Sequence, residues 1–380
     1  MMTTIYFIRH AEAEGNLYRR LHGQHDTLLT PTGVRQAEAL RRRFAGVRLH
    51  ACYASDLNRA VQTALPVCKD HRLRLRREPA FREVCFGTWE DQSFGTLEHL
   101  YPEQMRVFRQ NMWAWQAPGS ETLEQATGRF IEALRAVAER HAGQTVAIFT
   151  HGAILRAVQA ELFFTRQTMN RAGRCDNTGV SRVQYEGGRF TLDYLNDNAH
   201  LDLALSTQNR LDSLCQRSAS LGEDYNLWFE LAQDGGALYM DLRRQNWVQR
   251  CGTLTWTDEA AVEAQMRAIL VRAPNTLYYA RQGQALVGAL LLEPEQEQDH
   301  GVIRYLGVLP ERKYRGFAVQ LLGQAVSHCR SQGKSKIRCT IPDGDYTTVH
   351  FFEKYGFRPR KQAGGERCYE LSIALPRQPG

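Results

Sequence analysis

Ile5-Tyr6-Phe7-Ile8-Arg9-His10 and Val146-Ala147-Ile148-Phe149-Thr150-His151-Gly152 decide the fold of the amino-terminal half. Each is a short apolar run, too short for a helix, that breaks without a spacer into polar residues carrying a histidine. Around them apolar runs alternate with helical periodicity: a run over 5–8, a helix over Pro31–Phe44, a run over Ala51–Ala54, a helix from Asp56, the run 146–150 and a helix from Ile154. Apolar runs alternating with helices predict an α/β fold, a doubly wound and mainly parallel sheet with helices on both faces. Ligands of such sheets sit at the carboxyl ends of the strands, so His10 and His151 are expected on one rim.

The chain of 380 residues is 43% apolar and 23% charged, enough for two domains with cores of their own. That composition excludes disordered, collagen-like and coiled-coil classes. The longer apolar stretches, such as Ala285-Leu-Val-Gly-Ala-Leu-Leu-Leu292, stop far short of the roughly 18 residues of a membrane helix, so no membrane partner is expected. The start, Met-Met-Thr-Thr, lacks the basic opening of a secretory signal. Nine cysteines without a Cys-x-x-Cys pair suggest neither a disulfide framework nor a zinc site, and a reduced cytoplasm is the expected location. The net charge of +7 is spread along the chain rather than clustered with aromatics, which suits a small anionic substrate better than nucleic acid.

A hairpin pattern over 180–185 and 189–194, turned by Glu186-Gly-Gly188, closes the first domain, assigned to 1–203. Residues 204–221 read as a connecting helix or linker. A second, mixed α/β domain occupies 222–380, with strands at 277–280, 286–293, 302–308, 336–341 and 368–374 and helices at 316–330 and 346–355.

Chain order brings Arg9, His10, Asn16, Arg59, Glu83 and His151 to the first rim. Two guanidiniums, two imidazoles and a carboxyl group suit phosphate chemistry without a metal. Arginines neutralise a phosphoryl dianion, an imidazole attacks phosphorus, and a carboxylic acid protonates the leaving oxygen. A lone histidine or arginine at such a place is ordinarily a hydrogen-bonding or solvated residue; it is the ordered set that favours chemistry. His22, His25, His50, His71, His99 and His141 read as surface or packing residues, and Trp113 and Trp115 either wall the pocket or fill the core.

Six ordered blocks, Arg9-His10-Ala11 through Asn16, Gly23-Gln24-His25-Asp26 with Leu29-Thr30-Pro31, Ser55 through Ala64, Phe81-Arg82-Glu83 through Glu90, Pro118-Gly119-Ser120-Glu121 and Phe149-Thr150-His151-Gly152, resemble the histidine phosphatase (phosphoglycerate mutase-like) superfamily. The resemblance implies a metal-independent phosphomonoesterase in which His10 is the phosphorylated nucleophile. It further implies that Arg9, Asn16, Arg59 and His151 form the phosphate pocket and that Glu83 is the proton donor. Ala11 stands where the family usually has glycine and Leu28 where it often has proline. The family's mutases carry a longer insertion between the acid block and the second histidine, so the resemblance favours a phosphatase acting on a small phosphorylated metabolite.

In the second half, Val308-Leu309-Pro310 leads through Lys313-Tyr314-Arg315-Gly316-Phe317-Ala318 into an apolar-periodic helix. A glycine between strand and helix offers backbone N–H groups to a pyrophosphate, or equally makes a left-handed structural turn. The segment, with Asp345 through Phe352 and on to Phe357, resembles the GNAT family of N-acetyltransferases. The resemblance implies acetyl-CoA or another acyl-CoA, held by the amides of residues 313–318 and along the strand Leu306 to Val308, and a small amine acceptor. Asp345 stands at the family's Asn, and Phe352 where many members have a Tyr that protonates the departing thiolate; phenylalanine has no proton to give. The alternative is a phosphatase whose second domain senses CoA or binds a partner without catalysis.

Overall fold

The computed structural model describes residues 1–166, 175–219, 225–251, 258–294, 298–313, 315–360 and 367–376. Up to residue 219 the chain forms β1 (Thr3–Arg9), α1 (Glu14–Tyr18), α2 (Pro31–Phe44), β2 (Ala51–Ala54), α3 (Asn58–Asp70), β3 (Leu75–Arg77), α4 (Phe94–Leu100), α5 (Pro102–Gln110), α6 (Leu123–Arg140), β4 (Thr145–Thr150), α7 (Gly152–Phe163), β5 (Val180–Glu186), β6 (Arg189–Asp197) and α8 (Thr207–Ala219). Beyond it come β7 (Trp228–Leu231), α9 (Ala237–Cys251), α10 (Glu259–Arg272), β8 (Leu277–Gln282), β9 (Ala285–Pro294), β10 (His300–Val308), α11 (Phe317–Ser331), β11 (Lys336–Ile341), α12 (Tyr346–Lys354), β12 (Arg358–Arg360) and β13 (Arg367–Ser372).

Two compact units result. One comprises Met1–Asn16, Leu21–Gln92 and Tyr101–Ser213; the other comprises Leu17–Arg20, Ser93–Leu100 and Leu214–Gly380. No helix among the described residues is long and apolar enough to cross a membrane.

The first unit holds the sheet β3-β2-β4-β1-β5-β6, whose first four strands are parallel, while β5 runs antiparallel to β1 and to β6. Pleating sends successive side chains to opposite faces. Ile8 packs with Leu40, Phe44, Cys52 and Phe149 on one side. Its neighbour Phe7 meets Phe130 of α6, which in turn lies 4.9 Å from Phe81. Helix starts are defined locally: Thr30 accepts the Gly33 amide ahead of Pro31, and Thr122 and Gln125 cap α6 reciprocally. Helices begin at Asn58 and Gly152 rather than at Asp56 and Ile154, because Asp26 caps the amide of Asn58 and the helix of β4's crossover starts immediately after His151.

The second unit holds the mixed sheet β12-β13-β11-β10-β9-β8-β7. β10 pairs in parallel with β11 from His300/Lys336 to Ile303/Cys339 and leaves it there. Across a register shift between Ile303 and Tyr305, β10 continues beside β9 as far as Val308. β7, α9 and α10 had no counterpart in the sequence pattern. Apolar residues of α10 are not confined to one stripe: Met266 and Ile269 are buried but Val271 is exposed.

Truncating the fully buried Phe130 to alanine should destabilise the protein by about 3–5 kcal/mol, read as a lowered urea midpoint at unchanged slope. A loss within ~0.5 kcal/mol would contradict the packing described.

Candidate active site

His10 and His151 follow directly from the carboxyl ends of neighbouring parallel strands, since Arg9 pairs with Thr150 and the His10 amide donates to the Thr150 carbonyl at 2.8 Å. Their rings lie 5.2 Å apart. β2 ends beside them, the Ser55 amide donating to the Phe149 carbonyl, and α3 then delivers Arg59 in its first turn. Thr63, one turn later, donates to the Arg59 carbonyl and accepts the Ala11 amide, tying the nucleophile loop to α3. Ala11 is not among the residues of positive φ, so the alanine in place of glycine is accommodated without strain.

Arg59 is 1% exposed and held from three sides. Nη2 donates to the Gly23 carbonyl at 2.5 Å, Nη1 to the His25 carbonyl at 3.0 Å, and Nε to His151 Nδ1 at 3.2 Å. Burial lowers its pKa to about 10, opposed by the charges of Glu83, Asp26 and Glu90, so it remains a cation at neutral pH.

These bonds determine both imidazole tautomers. His10 Nδ1 lies 2.7 Å from the Ala11 carbonyl, which can only accept, so the proton is on Nδ1 and Nε2 carries a free lone pair. His151 Nδ1 accepts from Arg59, so its proton is on Nε2, a buried donor with no partner among the described residues. Burial, with Arg59 adding to it, pushes the pKa of each ring well below the ordinary imidazole range. Both rings are neutral: one presents a lone pair at Nε2, the other an N–H donor.

Arg9 passes across Gly152, where a Cβ would stand 2.9 Å from its Nε, and donates through Nη1 to the Cys175 carbonyl. Its Nε is buried without a partner among the described residues. Asn16 Oδ1 accepts the Ala13 amide at 3.0 Å and Asn177 Nδ2 at 3.2 Å. Glu83 sits at the start of α7: Oε1 accepts the amides of Val84 and Ile154, and Oε2 that of Ala153 at 3.0 Å. The structure therefore gathers all six residues singled out for this rim.

Four residues that contribute here carried no role in the sequence reading. Buried Asn177 donates to the His10 carbonyl as well as to Asn16, and the Asn177-Thr178-Gly179 turn before β5, with Thr178 at φ 60°, was its only signal. Gln24 bonds the Glu83 carbonyl, and Glu90 takes the Gln24 and Phe86 amides. His25, read as a surface residue, lends its carbonyl to Arg59. Trp115 is core, packed among Phe86, Trp89 and Phe108, and Trp113 lies under the Arg166 guanidinium.

In the second unit Gly316 is the N-cap of α11 with φ 78°, and a Cβ there would stand 2.6 Å from the Tyr225 hydroxyl. The loop thus has the left-handed glycine and the open helix start that an anionic group requires. Leu306 and Val308 lie on the part of β10 that has left β11. The Lys313 amide donates to Pro310 in its own turn. Arg315, Phe317 and Ala318 continue the loop into α11, and Tyr314 lies outside the described residues. Asp345 caps α12 through the Thr348 amide and hydroxyl. Phe352 is buried against Phe357 and Phe351, and Tyr355 packs edge-on against Phe351.

Two neutral imidazoles and two guanidiniums, that of Arg59 buried, converge at the ends of parallel strands and define a phosphate-handling enzyme site. The chain belongs to the histidine phosphatase superfamily, branch 1, whose family model matches residues 5–198; the acetyltransferase (GNAT) family model matches 242–357. It is similar to phosphoserine phosphatase 1 of Hydrogenobacter thermophilus, 28% identical over 53% of this chain and 95% of that protein. It is also similar to the metal-independent phosphoserine phosphatase of Arabidopsis thaliana, 30% identical over 53% of this chain and 84% of that one. Among solved structures it resembles Bacillus stearothermophilus YhfR, 28% identical, covering 53% of this chain and all of that one with a TM-score of 0.51. The protein is therefore an enzyme carrying a histidine phosphatase domain and a GNAT acyltransferase domain.

Imidazole 15N spectra of the free protein should show a Nδ1–H tautomer for His10 and a Nε2–H tautomer for His151, both neutral at pH values well below 6.5. The opposite tautomer at His10, or a charged ring there near pH 6.5, would contradict the assignment.

Proposed function

We propose that the amino-terminal domain hydrolyses phosphate monoesters of a small metabolite through a phosphohistidine at His10, without a metal. The observation that carries the reading is the bond from His10 Nδ1 to the Ala11 carbonyl, which leaves the Nε2 lone pair to attack phosphorus. Arg9, Asn16, Arg59 and His151 Nε2–H hold the phosphoryl oxygens, and their charge offsets that developing in the transition state. As the P–N bond forms, the P–O ester bond breaks and the leaving oxygen takes a proton from Glu83. Oε1 is engaged by two amides and Oε2 by one, so Oε2 is the oxygen with room for that proton. Glu83 then takes a proton from water as its oxygen attacks phosphorus, the P–N bond breaks and His10 is restored. Phosphoserine phosphatases among the relatives support a small phosphorylated metabolite as the substrate class.

For the carboxyl-terminal domain we propose transfer of an acyl group from acyl-CoA, acetyl-CoA being the expected donor, to a small amine. Bound acyl-CoA supplies an activated thioester. The amides entering α11 around Gly316 would hold its pyrophosphate, and Leu306 to Val308 would lie along the thioester. One observation favours a second reading, a non-catalytic CoA-sensing or partner-binding module: Phe352 has no proton to give and is packed into aromatic core. We place the two activities in 1–203 and 222–380, joined through 204–221, in one cytoplasmic bifunctional chain.

His10→Ala should lower phosphomonoesterase turnover by about four orders of magnitude or more, and the alkali-quenched, acid-labile 32P label should vanish with it. Persistent turnover in that variant would refute the nucleophile. Titration calorimetry with acetyl-CoA should show binding heat accompanied by thermal stabilisation, and Gly316→Val should weaken both. Neither signal in the wild-type chain would remove CoA from this domain.

A further inference from the structure

Glu83 stands in a loop between the single turns Pro79–Phe81 and Gly87–Trp89, and apart from the Val84 amide the groups that hold its carboxylate lie outside that loop. Arg129, on α6, reaches the loop's backbone with three of its five N–H groups. Nη1 donates to the carbonyls of Ala80 at 2.8 Å and Arg82 at 3.0 Å, and Nη2 to that of Glu83 at 2.9 Å. The remaining donors form a bidentate pair with Glu121, Nε to Oε2 at 3.0 Å and Nη2 to Oε1 at 2.5 Å. Glu121 Oε1 in turn accepts the Cys85 amide at 2.8 Å. Backbone groups on both sides of Glu83 therefore end on one ion pair, and the capping box at Thr122 holds that pair to the start of a regular helix.

We infer that Arg129, paired with Glu121, is the positioning residue that aims the Glu83 carboxyl group at the leaving oxygen. The inference rests on the proposed role of Glu83 as proton donor and goes beyond it, because it assigns specificity for poor leaving groups to a residue outside the phosphate pocket. Arg129 bonds Glu83 only through the main-chain carbonyl. A lysine would keep the charge and lose the fork: three donors on one nitrogen cannot reach three carbonyls and both oxygens of a carboxylate. Its influence on His151 is electrostatic, adding to the forces that keep that ring neutral.

The test compares kcat/KM of wild type, Arg129→Lys, Glu83→Gln and the double variant on an alkyl phosphate and on 4-nitrophenyl phosphate. This parameter reports steps only up to phosphoryl transfer, and nitrophenolate leaves without a proton. Arg129→Lys should lower the alkyl ester about 100-fold and the nitrophenyl ester less than about fivefold, the signature of a lost general acid. Added to Glu83→Gln, it should cost no more than about twofold again, since two residues acting as a unit are not additive. Inhibition by inorganic phosphate should be unchanged. An equal loss on both esters, or a full further loss in the double variant, overturns the inference. If Arg129→Lys does not fold, Glu121→Gln carries the same comparison with the same overturning outcomes. Failure of the underlying reading shows separately, as turnover that survives His10→Ala.

Discussion

A buried cation governs the first site. Taking a guanidinium out of water is expensive unless its donors are satisfied. Arg59 gives three of its five N–H groups to two carbonyls from one loop and an imidazole nitrogen from the end of β4. Each partner is thereby fixed by the arginine it satisfies. Gly23 and His25 are held in place, His151 is forced into the tautomer that points a proton away from Arg59, and the positive field helps keep protons off both rings. A nucleophilic histidine must be unprotonated at the nitrogen that attacks. On the proposed reading, the same charge that would attract a phosphate dianion also keeps His10 neutral.

The start of α7 adds a second constraint. A helix N-terminus is ordinarily a ready anion site. Two of its amides, those of Ala153 and Ile154, are taken by the Glu83 carboxylate. On the proposed reading the phosphoryl group is then left to side chains: two arginines, an asparagine and an imidazole. It also couples acid and donor, because His151 is the N-cap of the helix whose next residues grip Glu83. Movement of α7 shifts both together, and the loop on the far side of Glu83 is restrained independently through Arg129 and Glu121.

What the sequence made legible follows from how local each signal was. β1, β2 and β4 are continuous apolar runs that can only be buried strands, and the histidines that follow them need no long-range information to be placed on a rim. Arg59 and Glu83 were readable through their blocks. Arg129 was not: a single arginine on an amphipathic helix looks like any solvated charge, and besides Glu121 its partners are three main-chain carbonyls, which carry no residue identity. Asn177 was hidden for a similar reason, since it acts on the backbone of His10 and on the amide orientation of Asn16. In the second unit, β8 to β11 were legible from apolar runs. α10 was not, because burial of Met266 and Ile269 alongside exposed Val271 leaves no clean period.

The two sites depend on their side chains to different degrees. On the proposed reading, function in the first lies in imidazoles, guanidiniums, an amide and a carboxyl group, which the backbone orients. In the second, the proposed recognition element is main chain: a left-handed glycine ahead of a helix, and a strand that leaves its parallel neighbour after Ile303. Backbone amides do not change with the side chain. Proton supply enjoys no such protection. Burial of Phe352 against Phe357 and Phe351 shows the helix using that position for packing, and any acyl transfer here rests on alignment of amine and thioester rather than on a proton from residue 352.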